Sequence, residues 1–332
     1  EMTLYEDAIK DLNQALELIP DAAGLLVLRA DLLRRNKRLP DAMDDLNHAL
    51  VLRPYLSSAL AGRGELYLQN GKNEEALRDF EKALELRPDW CWAIASRGTT
   101  YQKMGFNDFA IRDFTRALEL NDRYASVIAK RATVYRQIEQ YDDALEDLNR
   151  AIYLQPNDPT LYALRGELYQ HTASYEESLA DFNKAIELDP NFVGGIAARG
   201  ATYRRMAQYA EALLDFSRAA EMDPSLVAVV ANQAESYRKL GRYEEALECF
   251  TRAIEYKPDY IWAIAARGET YRRMKRYQDA LVDFDRALEL DPSNTWILAV
   301  RGMTYRLMEQ YERALVDFNM AVGFDPNYHG AL

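Results

Sequence analysis

Prolines in this chain fall on a ruler. Pro20, Pro54, Pro88, Pro156, Pro190, Pro224, Pro258, Pro292 and Pro326 are spaced by 34 residues or twice that, and Asp122 holds the one grid point without a proline. A fixed period of this size confines the fold to a stack of like supersecondary units. It overrides the prior of about two domains that 332 residues would otherwise suggest. If the residue after each grid proline is place 1, residues 21–326 divide into nine units. Alanine holds place 29 in all nine, from Ala49 to Ala321, and tyrosine holds place 13 in eight. Place 26 is Phe or Leu throughout.

Within a unit, helical spacing occurs twice with a break between. In residues 259–292, Ile264, Gly268 and Tyr271 form one stripe. Tyr277, Ala280, Leu281, Phe284, Ala287 and Leu288 form a second, at i, i+3, i+4 and i+7. The break is a polar or glycine-bearing turn, such as QNGKN or KLGRY, and the grid proline ends the second helix. Each unit therefore reads as a helix–turn–helix hairpin. One hairpin cannot bury its stripe alone, so successive hairpins must stack.

The recurring small residue at Gly268, with Tyr271, Ala280, Phe284, Ala287 and Pro292, resembles the tetratricopeptide repeat (TPR) family over essentially the whole chain. The resemblance implies an all-α fold: a right-handed α-solenoid, or superhelix, of antiparallel hairpins with first helices lining a concave groove. Residues 1–20 match only the second helix of a truncated unit, with Tyr5, Ala8, Asp11, Ala15 and Pro20 in register. Residues 327–332, NYHGAL, match only the opening of a further one. The chain is accordingly expected to be excised from a longer protein.

Charge is distributed unevenly. The chain carries 41 basic and 53 acidic residues, a net −12, yet five cations crowd into Arg267–Arg276. Arg267 sits at place 9, which is Arg in eight of nine units, while place 25 is Asp in eight of nine. The seventh unit lacks both together, carrying Gln233 and Cys249. Removing one member of a buried ion pair is far costlier than replacing both, so the joint loss points to an Arg–Asp pair inside each hairpin. Lys275 and Arg276 fall in the turn, where cations offset the dipole at the end of the first helix. That leaves Arg272 and Arg273, at places 14 and 15.

On a helical wheel these two share a face with places 4, 7, 8 and 11, which the resemblance makes the groove wall. Arg204, Arg205, Arg238, Lys239, Arg272, Arg273 and Arg306 would then form a basic ladder, with Glu269 among the acids interspersed one turn away. Place 4 adds Trp92, Trp262 and Trp296. Place 7 is alanine in eight of nine units, which suggests a shallow wall that a ligand approaches closely. Aromatic residues and arginine dominate interface hot spots. The bland alternatives are cations favoured near a helix end and tryptophans packed on a neighbouring repeat. The Gly194–Gly195 pair would mark either close approach by a partner or local flexibility.

No catalytic pattern emerges. Gly64 and Gly71 precede Lys72 at the wrong spacing for a phosphate loop. His48, His171 and His329 are scattered, and Cys91 and Cys249 have no metal or disulfide spacing. The expectation is a non-enzymatic module without cofactor that binds a protein or peptide, acidic or amphipathic, as scaffold or sensing arm of a larger, bacterial-type signalling or defence protein. Cysteine usage suits a reducing cytoplasm, and no segment reads as a membrane span or leader. The rivals are polyanion or nucleic-acid binding through the ladder, which the net charge disfavours, and the regulatory part of an enzyme whose catalytic domain lies elsewhere.

Overall fold

The computed structural model describes residues 2–326, with side chains from residue 5 onward. Among them are 19 helices and no strand. The chain divides into two compact units, 1–168 and 169–332. The first contains α1 (Met2–Leu18), α2 (Ala23–Arg35), α3 (Leu39–Leu52), α4 (Ser57–Gln69), α5 (Asn73–Leu86), α6 (Cys91–Lys103), α7 (Asn107–Leu120), α8 (Ala125–Gln137) and α9 (Tyr141–Leu154). The boundary falls inside α10 (Pro159–His171). The second contains α11 (Tyr175–Leu188), α12 (Val193–Arg205), α13 (Tyr209–Met222), α14 (Val227–Lys239), α15 (Tyr243–Tyr256), α16 (Ile261–Arg273), α17 (Tyr277–Leu290), α18 (Thr295–Leu307) and α19 (Tyr311–Phe324). Residues 327–332, where a further repeat is expected to begin, lie outside the described residues.

Within each unit an even-numbered helix pairs with the odd-numbered one after it, from α2 with α3 to α8 with α9 and from α12 with α13 to α18 with α19, giving the antiparallel hairpins that the two stripes require. The two kinds of helix are buried differently. In α17 the buried residues are Ala280, Leu281, Asp283, Phe284, Ala287 and Leu288, a single stripe. In α16 they run Ala263, Ile264, Ala265, Ala266, Gly268, Glu269 and Thr270, almost around the helix. A helix covered on several sides lies between neighbours. Within each unit the even helices also touch one another, α2 to α4, α4 to α6, α6 to α8, and likewise from α12 through α18. Within either unit, no described odd helix touches the next odd one. Even helices thus crowd along an inner curve and odd helices splay along an outer one, so each unit is an α-solenoid whose concave face belongs to the even helices.

Packing inside a hairpin explains the small residue at place 10. A Cβ on Gly98 or Gly268 would stand 2.9 Å from the ring of Phe114 or Phe284, and one on Gly302 would stand 2.8 Å from Phe318. Where place 26 shrinks to Leu46 or Leu148, place 10 grows to Ala30 or Ala132. The turn that follows needs one left-handed residue at place 17, the conformation that glycine adopts most readily. Gly71, Gly105 and Gly241 supply it with φ of 73° to 79°, whereas Lys37, Glu139, Ala173, Ala207, Lys275 and Glu309 adopt it at 58° to 62°. The role of Lys275 is thus set by its backbone. Arg276 caps the turn differently from the dipole reading: its Nε donates to Asp279 at 2.8 Å and its guanidinium lies 4.5 Å from the Tyr271 ring centre.

The inferred Arg–Asp pair is present in at least seven hairpins. Arg267 donates from Nε and Nη2 to the two oxygens of Asp283 at 2.8 and 2.7 Å, and the same fork joins Arg29 to Asp45, Arg63 to Asp79, Arg97 to Asp113, Arg131 to Asp147, Arg199 to Asp215 and Arg301 to Asp317. Hydrogen bonding to Asp283 pushes the Arg267 guanidinium further up. The sequence did not disclose a second function of this arginine. Its Nη1 reaches the odd helix of the preceding repeat, as from Arg267 to Thr251, Arg199 to Asn183 and Arg63 to Asn47. One side chain therefore fastens its own hairpin and the interface behind it. In the seventh repeat Cys249 donates its weak S–H to Gln233 at 3.7 Å, and Gln233 keeps the backward link to Ser217 at 2.9 Å. Burial pushes the Cys249 thiol up, so its position is that of a packed apolar group.

Candidate functional site: the concave face

The residues expected to line the groove fall into both units. Trp92 belongs to the first, and Trp262, Trp296 and all the ladder residues belong to the second. Trp262 and Trp296 are 39% and 40% exposed, large values for indoles. Neither bland nor functional reading takes the whole of Trp262, because its inner edge packs on Phe250 of the preceding repeat with ring centres 6.1 Å apart. Trp92 uses Phe80 in the same way at 6.4 Å. Tryptophan at place 4 thus seals a repeat interface with one edge and offers the remainder to solvent.

Place 7 differs from expectation. Ala61, Ala231, Ala265 and Ala299 are fully buried, and Ala95, Ala129 and Ala163 nearly so. These methyl groups belong to the core, where their size lets successive even helices touch; they do not form a floor open to a ligand. Of the Gly194–Gly195 pair, Gly195 has an internal cause. A Cβ on Gly195 would lie 2.7 Å from the Phe192 ring, which folds back over the start of α12.

The ladder is not uniformly free. Arg272 grips Glu269 with Nε and Nη2 at 2.6 and 2.8 Å, and Arg273 adds a third contact to the same carboxylate at 2.9 Å. Arg238 forks onto Glu235 at 2.8 and 2.6 Å, with the Lys239 ammonium 3.8 Å from that carboxylate. Both glutamates are buried. Four of the seven cations are therefore already satisfied, because a place-11 glutamate lies one turn back on the same helix. The other three have no such acid: place 11 is Ala201 in α12 and Met303 in α18. Arg204 has a buried Nε without a hydrogen-bond partner. Among the described residues Arg205 donates only to the carbonyl of Gln170, at 3.3 Å. Arg306 is exposed.

Charges along the first unit's concave face follow different rules. Asp31 takes both Arg34 and Arg35, at 2.7 and 2.9 Å. Lys130 donates to Thr99 at 3.0 Å and Lys103 to the Leu68 carbonyl at 3.2 Å, so neither touches a carboxylate. The Lys130 ammonium opens to solvent yet stands among the walls of the curve. That desolvation holds its pKa below the usual lysine range, partly offset by Glu65.

Four sequence models of the tetratricopeptide repeat match the chain, over residues 1–57, 57–89, 132–199 and 226–293. The chain belongs to the tetratricopeptide-repeat family. No curated protein matches it. Among solved structures, this TPR chain resembles the Cut9–Hcn1 hetero-tetramer of the APC/C at 16% identity, covering 90% of this chain and 58% of that one, with a TM-score of 0.62. A tetratricopeptide repeat protein from Parabacteroides merdae ATCC 43184 matches at 18% identity over 75% of this chain and 98% of its own, with a TM-score of 0.59. At these identities the likeness shows the fold and nothing finer. TPR folds characteristically serve as protein-interaction scaffolds rather than catalysts, and among the described residues no helix is long and apolar enough to cross a membrane.

Proposed function

We propose that the concave face of the second unit of this TPR chain holds an extended peptide or protein segment that is acidic or amphipathic. The observation that carries this reading is the coexistence, on α12 through α18, of half-covered indoles at Trp262 and Trp296 with three cations that no carboxylate among the described residues neutralises, Arg204, Arg205 and Arg306. Indoles and uncompensated guanidiniums spread along the same run of even helices give an extended acidic segment both apolar contact and charge. The satisfied residues Arg238, Lys239, Arg272, Arg273 and Glu269 shape the wall around that surface. In this reading the array is a non-enzymatic scaffold or the sensing arm of a larger signalling or defence protein, working in a reducing cytoplasm of bacterial type. Pairing of the ladder with its own glutamates leaves few phosphate contacts, which disfavours the polyanion alternative.

The test is fluorescence anisotropy of labelled acidic amphipathic peptide pools against the purified chain and the triple variant R204E/R205E/R306E. At least a tenfold loss of affinity with an unchanged circular-dichroism melt is expected. Equal affinity for the two proteins would overturn this assignment. A labelled oligonucleotide titrated across salt concentrations separates the polyanion rival, whose binding would fall steeply with salt.

A further inference from the structure

The first unit contains a hollow that the ladder does not explain. A cavity of about 380 Å³ opens on the concave side of α2, α4 and the start of α6. Trp90 and Trp92 form one wall, their ring centres 5.4 Å apart and tilted by 47°. Gly62 leaves the Leu46 side chain reachable as floor, since a Cβ there would sit 3.2 Å from it. Three charged groups line the opposite side besides Glu65: Arg34 and Arg35 share the one carboxylate of Asp31, which leaves that cluster with one positive charge held in its own ion pairs.

Glu65 stands apart from the other described place-11 acids. Asp31, Glu167, Glu235 and Glu269 each have an arginine within 3.3 Å. Glu65 has none within 4.0 Å; it accepts only from Gln69 at 3.2 Å and Ser96 at 3.4 Å. The reason lies in the sequence: places 14 and 15 of this repeat are Leu68 and Gln69, whereas Asp31, Glu235 and Glu269 are held by Arg or Lys at those places of their own repeats and Glu167 by Arg136 at place 14 of the repeat before. Lys130 acts on Glu65 only through space. The carboxylate therefore faces an indole-walled hollow with its charge uncompensated by contact. One indole already shows what it accepts, for the Arg87 guanidinium lies 4.4 Å from the Trp90 ring centre.

We infer that this hollow is a specificity pocket for a lysine or arginine side chain of a bound peptide, its aliphatic stem against Trp92 and its cation at Glu65. Charge complementarity at Glu65 itself, the one lining charge without an ionic partner, selects the occupant: an acidic side chain there would meet a like charge, and an apolar one would desolvate the carboxylate without supplying a counter-charge. A cation desolvated between indole and carboxylate gains from both. The inference rests on the peptide-binding reading but assigns a different preference to a different unit.

The test uses the whole chain and positional-scanning hexapeptide pools, acetylated and amidated, with one fixed residue each, read by anisotropy. Pools fixed as Lys or Arg are expected to bind wild type best, and Glu65→Gln to lose at least tenfold for those pools alone. Glu65→Gln is nearly isosteric at a partly exposed position, so its melt should match wild type; Trp92→Phe, which keeps the ring on Phe80, gives a second, weaker loss. Binding without a basic preference, or a preference that survives Glu65→Gln, overturns the pocket while leaving the peptide-binding reading standing. Failure of every pool to bind overturns both.

Discussion

Glu65 and Glu269 hold the same place in their repeats and have opposite fates. Glu269 is buried under a bidentate Arg272 and a second contact from Arg273, whereas Glu65 looks into a hollow with only Gln69 and Ser96 as donors. The backbone is the same helix–turn–helix in both. What differs is the residue one turn on: Arg272 in one case, Leu68 in the other. A repeat protein can therefore switch a groove charge between architecture and recognition by a change three residues away. The lesson is that a column of like residues on a concave face cannot be summed as surface charge until each partner along the helix is known.

The largest effect sets the scale for a fully structural charge. Asp283 is 3% exposed and holds an Arg267 that is 17% exposed. Asp283→Ala should cost about 3–5 kcal/mol, because it strands a buried guanidinium. The paired change Arg267→Gln with Asp283→Cys, which copies the seventh repeat, should cost no more than about 1 kcal/mol, because neither charge remains. Urea melts and hydrogen exchange across α16 and α17 measure both. Equal losses from the single and paired changes would show that the pair is not coupled.

The direct contrast comes next. Glu269→Gln should destabilise by about 1.5–3 kcal/mol through loss of charge-assisted bonds to Arg272 and Arg273. Glu65→Gln, the same substitution at the same place, should stay within about 0.5 kcal/mol of wild type. Matching melting shifts for the two would erase the distinction between a locked and a free carboxylate.

Much of this was legible before any coordinates. The proline period, the two stripes and the joint absence of Arg and Asp from the seventh repeat led to hairpins held by a buried pair, and those hairpins are there. The i, i+3 spacing of Glu269 and Arg272 announced a possible pair too, yet spacing alone left its strength open; burial of Glu269 decides it. The place-7 alanines were misread because helical wheels show direction and not what lies beyond the helix. Whether a face meets solvent or the next even helix depends on curvature, which arises only when repeats stack. The hollow was hidden for a related reason. Trp90 precedes α6 and joins Trp92 only because the turn folds it back, and the absence of a partner for Glu65 is a statement about every neighbouring repeat at once.

Lys130 offers a smaller test through pH. Desolvation lowers its pKa in the folded chain, so the folded state binds this proton less readily than the unfolded one. The resulting penalty is complete at neutral pH, fades as pH rises through the folded-state pKa, and is gone above the free-lysine value of about 10.4. Lys130→Met should accordingly stabilise the chain at pH 7, by less than about 1 kcal/mol because the ammonium opens to solvent, and flatten the rise in stability toward alkaline pH. It also removes the cation acting through space on Glu65, so basic peptide pools should bind more tightly. Weaker binding of those pools would mean that Lys130 helps to seat the peptide, and that the hollow does not end at Glu65.

The smallest stability effect carries the sharpest functional one. Gln69 is exposed, four residues beyond Glu65, just as Arg273 is four residues beyond Glu269. Gln69→Arg should supply the missing partner and gain only about 0.2–0.5 kcal/mol, the usual worth of such a pair on a helix surface. The same change should abolish the preference for Lys and Arg pools, since the carboxylate would already be taken. Stability and recognition would then move in opposite directions from one substitution that touches neither Trp90 nor Trp92. A Gln69→Arg chain that melts slightly higher and still prefers basic peptides would show that the indoles alone make the choice, and the contrast between the two glutamates would lose its functional meaning.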